Sequence, residues 1–183
     1  MDFVASFPHL VRSVALLAPA GMIRTLPGVY VDFKNAVSGG GKTDDELNGM
    51  LAGVLGVEGS GEGEGEFDRL VRWQYEKHQG HARSFASTLL HGPVVGQGDV
   101  WREACGVLKE KGERLVVVCG EDDWVVRKEW VREDLDGMMG EGEYVFGTVQ
   151  GGHGFLVDES ACEKVVETIG REWGVVGREE THA

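Results

Sequence analysis

Apolar residues gather in short dense runs near the two ends of the chain and fall at helical spacings between them. Phe3, Val4 and Phe7 recur along one helix face and stop at Pro8. Val14-Ala15-Leu16-Leu17-Ala18 follows as an unbroken apolar run closed by Pro19-Ala20-Gly21, the pattern of a buried strand entering a turn. Over residues 22–112 no comparable run occurs, and helical pieces are separated by glycine-rich breaks such as Ser38-Gly39-Gly40-Gly41. A helix is predicted over 44–55, where Asp44, Asp45 and Glu46 place carboxylates in the first turn, favoured by the helix dipole. Another is predicted over 67–78, with Leu70, Val71, Trp73 and Tyr75 as its apolar positions. Between them, residues 56–66 alternate Gly and Glu, bury almost nothing apolar, and are predicted to form a mobile loop.

From residue 115 the period changes. The pattern predicts strand, helix, strand and helix over 115–119, 128–139, 144–149 and 160–173. Short apolar strands alternating with helices imply an α/β fold built on a parallel sheet covered by helices. The middle third then stands as an inserted helical unit.

A chain of 183 residues suits one domain or a large part of one. Its formal net charge of −13 opposes phosphate backbones and anionic membranes, and no basic patch is visible, so nucleic acid is excluded and a small neutral or cationic molecule is the expected partner. Cys105, Cys119 and Cys162 are odd in number and lie in unrelated contexts, which argues against a disulfide framework and for a reducing setting. No stretch approaches the roughly 18 apolar residues of a membrane span. The first six residues lack the basic start and apolar core of a signal peptide, and a cytoplasmic location is expected.

Two turns carry the candidate chemistry. Gly120-Glu121-Asp122-Asp123 closes one apolar strand run, and Gly151-Gly152-His153-Gly154-Phe155 follows the next. Ligands of open parallel sheets bind beyond the carboxyl ends of the strands, where Asp123 can accept a bond from an imidazole N–H and fix its tautomer. Taken singly, Asp122 or Asp123 reads equally as the cap of the helix beginning near Arg127, and His153 as an ordinary loop histidine. Together they make the acid and base of a hydrolytic triad.

With these motifs the chain resembles the C-terminal part of an α/β-hydrolase of the esterase, lipase and epoxide-hydrolase-like superfamily. The resemblance covers residues 7–21, similar to the segment after that family's nucleophile helix, then Gly120-Glu121-Asp122-Asp123-Trp124-Val125-Val126, and Gly152-His153-Gly154-Phe155. It implies that Asp123 is the triad acid and His153 the general base. It also implies the end of the nucleophile helix and the sixth strand over 1–21, a helical cap roofing the substrate pocket over 22–112, and the last part of the core over 113–183. The fold class so implied is a partial α/β-hydrolase sheet, its last strands only, with a helical cap insertion. Substrates would be ester-like small molecules, and no cofactor or metal is called for.

The departure is the nucleophile. The family places a Gly-x-Ser-x-Gly turn between a strand and a helix, and no such turn precedes Asp123 in this sequence. The elbow and one oxyanion donor are expected upstream of Met1, the chain by itself is expected to be inactive, and a non-catalytic binding or interaction module is the competing reading. A sixth strand without its neighbour would expose an edge and promote self-association.

Other motifs have simpler readings. Ala36-Val37-Ser38-Gly39-Gly40 is a loose elbow lacking the strand that should lead into it, Ser6 lies within a helix, and Ser60 sits in the Gly/Glu loop. Ala36 through Thr43 also resembles a relaxed phosphate-binding loop, with Lys42 and Thr43 as the phosphate and magnesium residues, but Asp44, Asp45 and Glu46 would repel phosphate. His78, His81 and His91 do not complete a metal-ligand pattern, with Gly80 and Gly92 expected to break the helix. Trp73, Tyr75, Phe85 and Trp101 are candidates for an aromatic roof over a ligand, or for packing alone.

Overall fold

The computed structural model describes residues 1–55, 65–78 and 80–175, the Tyr75 side chain excepted. Of the expected mobile loop, residues 56–64, Ser60 among them, lie outside the described residues. In chain order the described elements are α1 (Asp2–Ser6), β1 (Val14–Leu17), α2 (Gly28–Gly39), α3 (Asp44–Leu55), α4 (Glu66–Lys77), α5 (His81–His91), α6 (Gly98–Glu110), β2 (Leu115–Gly120), α7 (Lys128–Met138), β3 (Tyr144–Val149) and α8 (Glu159–Glu172). Single 3-10 turns stand at Pro8–Leu10 and Phe155–Val157. Two compact units result: one combines Met1–Arg24 with Val95–Ala183, and the other is Thr25–Val94. Among the described residues no helix is long and apolar enough to cross a membrane.

The first unit is built on a parallel three-stranded sheet in the order β1-β2-β3, counted among the described residues. Val14 pairs with Leu115, and Leu115 with Tyr144, in a register that runs to Gly120 opposite Val149. β2 is central and every one of its residues is buried, which explains its unbroken apolar run. Successive side chains point to opposite faces. Val116 and Val118 meet Val149, Phe155, Ala161 and Val165 in one cluster, with α8 as its cover, while Leu115, Val117 and Cys119 are fully buried on the other side. Full burial stabilises each such valine or leucine by roughly 1.5–3 kcal/mol relative to exposure, so the two-sided cover accounts for the position of β2.

β1 differs from the expected buried strand. Its four residues are only half-buried, because it is an edge strand paired to β2 alone among the described residues. It also ends one residue early: Ala18 has φ 42°, outside strand geometry, although its N–H still donates to the Val118 carbonyl at 2.9 Å. Ile23 and Val95 form an isolated parallel bridge just where the chain leaves and re-enters this unit. α6, which lies within the 22–112 stretch, belongs to this first unit, where Trp101, Ala104, Cys105 and Leu108 bury a helical stripe and the helix packs on α1 and α7.

The second unit is helical, with α2, α3, α4 and α5 packed around Tyr30, Phe33, Leu47, Leu51, Val54, Val71, Ala86 and Leu89. Of the apolar positions read on α4, Val71 is buried, whereas Leu70 and Trp73 are exposed. α3 begins with a capping box. Thr43 Oγ1 accepts from the Glu46 N–H at 3.3 Å, and Glu46 Oε2 accepts from the Thr43 N–H at 2.9 Å, so two orphan donors are satisfied reciprocally. The backbone N–H of Thr43, then its hydroxyl, then Lys42 hold the Glu46 carboxyl below its ordinary value of 4.5. A carboxylate depressed in the folded state adds stability that is complete above its unfolded value and disappears as pH falls through the folded one. The melting temperature of wild type is therefore expected to fall more steeply than that of Glu46→Gln as pH drops below 4.5. Parallel melting curves for the two proteins across that window would contradict the capping role.

Candidate functional site

β2 and β3 are neighbours and parallel, so the loops leaving Gly120 and Val149 emerge side by side at the carboxyl edge of the sheet. The two loops are fastened together by backbone. Glu121 N–H donates to the Val149 carbonyl at 2.8 Å and Asp122 N–H to the Gly151 carbonyl at 3.1 Å. Gly120 permits this approach, since a Cβ there would lie 2.6 Å from the Gly151 oxygen and 2.7 Å from the Gly152 oxygen. Gly151 adopts φ 110°, a region that favours glycine, and turns the chain toward His153. Phe155, 3 % exposed and bonded through its N–H to the Gly152 carbonyl, anchors the far side of this turn in the core.

Asp123 and His153 meet across that junction. His153 Nδ1 lies 2.9 Å from Asp123 Oδ2. The other carboxylate oxygen, Oδ1, accepts from the backbone N–H groups of Val125 and Val126, each at 2.9 Å. The Asp123 side chain is wholly buried, whereas that of His153 is 41 % exposed. A carboxylate offers acceptors only, so Nδ1 must carry the imidazole proton and donate it, which leaves the Nε2 lone pair on the opposite side of the ring. A buried acid fixed at both oxygens thus holds a partly exposed imidazole in the tautomer suited to accept a proton.

The capping alternative for Asp123 is partly met in an unexpected place. Its side chain caps the turn over residues 124–126, while α7 starts at Lys128 behind an Arg127 that makes no side-chain cap. The Val125 and Val126 N–H donors could not be identified from residue type. The two valines are buried, and that burial holds their amides against the carboxylate.

The remaining candidates lie on other elements. Ser38 occupies the last turn of α2, so no strand leads into it, and Ser6 ends α1. Residues 36–39 form the last turn of α2 and 40–43 join it to α3, whereas a phosphate-binding loop joins a strand to a helix, and Lys42 and Thr43 are engaged with Glu46. His78 terminates α4 and His81 opens α5, with Gly80 as the N-cap of α5 and Gly92 as its C-cap, so the two histidines share no helix. Among the described residues no group of three or more His, Cys, Asp or Glu is placed to hold a metal ion.

The described aromatic candidates each have their own surroundings. Phe85 packs on Tyr30 and Phe33 within the second unit, Trp73 lies edge-on to His78, and Trp101 is buried in the first unit. All three cysteines are free. Burial pushes the Cys105 thiol up to about 11, and burial together with the nearby Asp123 and Glu129 charges pushes Cys119 up to about 12, so neither is an activated nucleophile. Comparison with protein-family models, curated proteins and solved structures gives no match to this chain.

Proposed function

We propose that this chain is the C-terminal part of an α/β-hydrolase in which His153 is the general base and Asp123 its orienting acid, serving a serine nucleophile carried outside these 183 residues. The observation that carries the reading is the double fixing of Asp123, one oxygen on two backbone amides and the other on His153 Nδ1 at 2.9 Å, beyond the carboxyl ends of adjacent parallel strands. With Nε2 unprotonated, the imidazole would take the serine proton as Oγ attacks an acyl carbonyl, and would return it to the leaving alcohol as the tetrahedral intermediate collapses. Water would then repeat the cycle on the acyl-enzyme. Small ester-like molecules are the substrate class, and the edge of β1, unpaired among the described residues, supports self-association where no neighbouring strand covers it.

The sequence contains no Gly-x-Ser-x-Gly turn, an observation that favours a second reading, a binding module without catalysis. Labelling separates the possibilities. The chain alone is expected to show no burst with an activated acyl ester and no incorporation of a serine-directed phosphonate. Joined to a strand, nucleophile elbow and helix at its N-terminal side, it is expected to label at the elbow serine and to lose that labelling in His153→Ala. Stoichiometric labelling of the isolated chain, at Ser38 for instance, would overturn the assignment. Labelling of the joined protein that is indifferent to His153→Ala would leave the binding-module reading in its place.

A further inference from the structure

Glu121 and Lys128 bracket the loop that carries Asp123. Glu121 is the first residue after β2 and Lys128 the first residue of α7, and their side chains form an ion pair in which Lys128 Nζ donates to Glu121 Oε2. Both side chains are about a third exposed or less, at 28 % for Lys128 and 32 % for Glu121. Glu121 is anchored twice more. Its N–H is bonded to the Val149 carbonyl, and its carboxylate engages the Thr148 side chain of β3. One carboxylate therefore gathers the end of β2, the end of β3 and the start of α7.

The location of Lys128 is informative because a helix would not select it. A cation in the first turn faces the positive end of the helix dipole, and Arg127 immediately before it adds a second one. What Lys128 gains there is Glu121: the hydrogen bond to Glu121 raises its ammonium above the ordinary lysine value, and the same bond, followed by the one to Thr148, lowers the Glu121 carboxyl. Between the two ends of this clasp lie Asp123 and the Val125 and Val126 amides that fix its Oδ1.

We propose that the Glu121–Lys128 pair is a positioning clasp for the acid loop, setting the Val125 and Val126 amides so that Asp123 presents Oδ2 to His153. The inference rests on the reading of Asp123 and His153 as an acid–base pair. An ion pair this exposed contributes little to global stability, so its consequence is geometric and is read at His153. Opening the clasp lets the first turn of α7 and the preceding amides drift, Oδ1 loses its fixed donors, and the carboxylate rotates away from Nδ1.

The test is nitrogen-15 NMR of the imidazole in the full chain, measuring the ratio of Nδ1–H to Nε2–H tautomers, with thermal unfolding recorded in parallel. Lys128→Met and Glu121→Gln are each expected to lower that ratio about fivefold, the scale of weakening one hydrogen bond. The double variant should fall no further than either single one, and Lys128→Arg should restore the wild-type ratio. Substitutions at such partly exposed positions leave the fold intact, and a merely structural pair would move the melting curve without moving the tautomers. Asp123→Asn serves as the reference. If it changes the ratio while Lys128→Met does not, the clasp is wrong and the acid–base pair stands. If Asp123→Asn has no effect either, both fall, and additive effects in the double variant would likewise rule out a shared clasp.

Discussion

Asp123→Asn is expected to reverse the tautomer of His153 and, in a protein that carries the nucleophile, to lower kcat by about 10⁴-fold, the loss typical of a triad left in the wrong tautomer. The reversal follows from the two-sided environment of the side chain. Val125 and Val126 each aim an N–H at Oδ1 from 2.9 Å, so an asparagine there must place its carbonyl oxygen on that side. Its NH2 group is then turned toward His153 Nδ1, a donor facing the site of a former donor. Nδ1 can keep a hydrogen bond only by accepting, which moves the proton to Nε2 and removes the base. Little structural damage is expected, since the amides stay satisfied. Asp123→Ala would in addition strand both amides in a buried site, at a cost of about 1–3 kcal/mol for each group left unmade. Unchanged turnover in Asp123→Asn would show that this carboxylate does not orient the base.

Gly120→Ala is expected to part the two loops. A methyl group at this position would sit 2.6 Å and 2.7 Å from two backbone oxygens, which no side-chain rotation can relieve. Relief requires the His153 turn to retreat from the Asp123 turn, at the expense of the Glu121-to-Val149 and Asp122-to-Gly151 bonds. Overpacking costs about 1–3 kcal/mol, and each lost backbone bond adds about 1 kcal/mol. For a chain of this size the melting temperature should fall by roughly 6–20 °C. The same displacement should stretch the Asp123–His153 contact, so the His153 Nδ1–H signal should weaken alongside the thermal shift. An unaltered melting temperature would mean that the loops are not in close approach.

How far the residues alone foretell this arrangement depends on what each element answers to. β2 was legible because its burial is fixed by its central place in the sheet, so continuous apolar residues sufficed, and β3, half-buried over most of its length, coincides with the predicted 144–149. β1 was legible as a strand but not as an edge, since its half-burial depends on which neighbours it has. α3 was announced by acids in its first turn and α4 by apolar residues at helical spacing, whereas α2 opens with Pro27 and Gly28 and α5 is bounded by Gly80 and Gly92, signals that mark interruptions more plainly than the helices between them.

At the site, Asp123 and His153 could be picked out as the polar residues placed just beyond two apolar strands. Their pairing required the register that sets Gly120 opposite Val149, a long-range property of the sheet. The amides of Val125 and Val126 and the Glu121–Lys128 pair arise from folding back within seven residues, which periodicity does not encode, and the steric role of Gly120 depends on the long-range approach of the turn at Gly151 and Gly152.

The central claim, a base oriented by a buried acid, is tested most directly by the protonation state of the His153 ring in the unmodified chain, the baseline from which Asp123→Asn departs. Long-range proton–nitrogen correlation of the neutral ring is expected to show its proton on Nδ1, with Nε2 bare. A ring protonated mainly at Nε2 would contradict the account, because Asp123 would then hold no donor and His153 no lone pair where a nucleophile could use it.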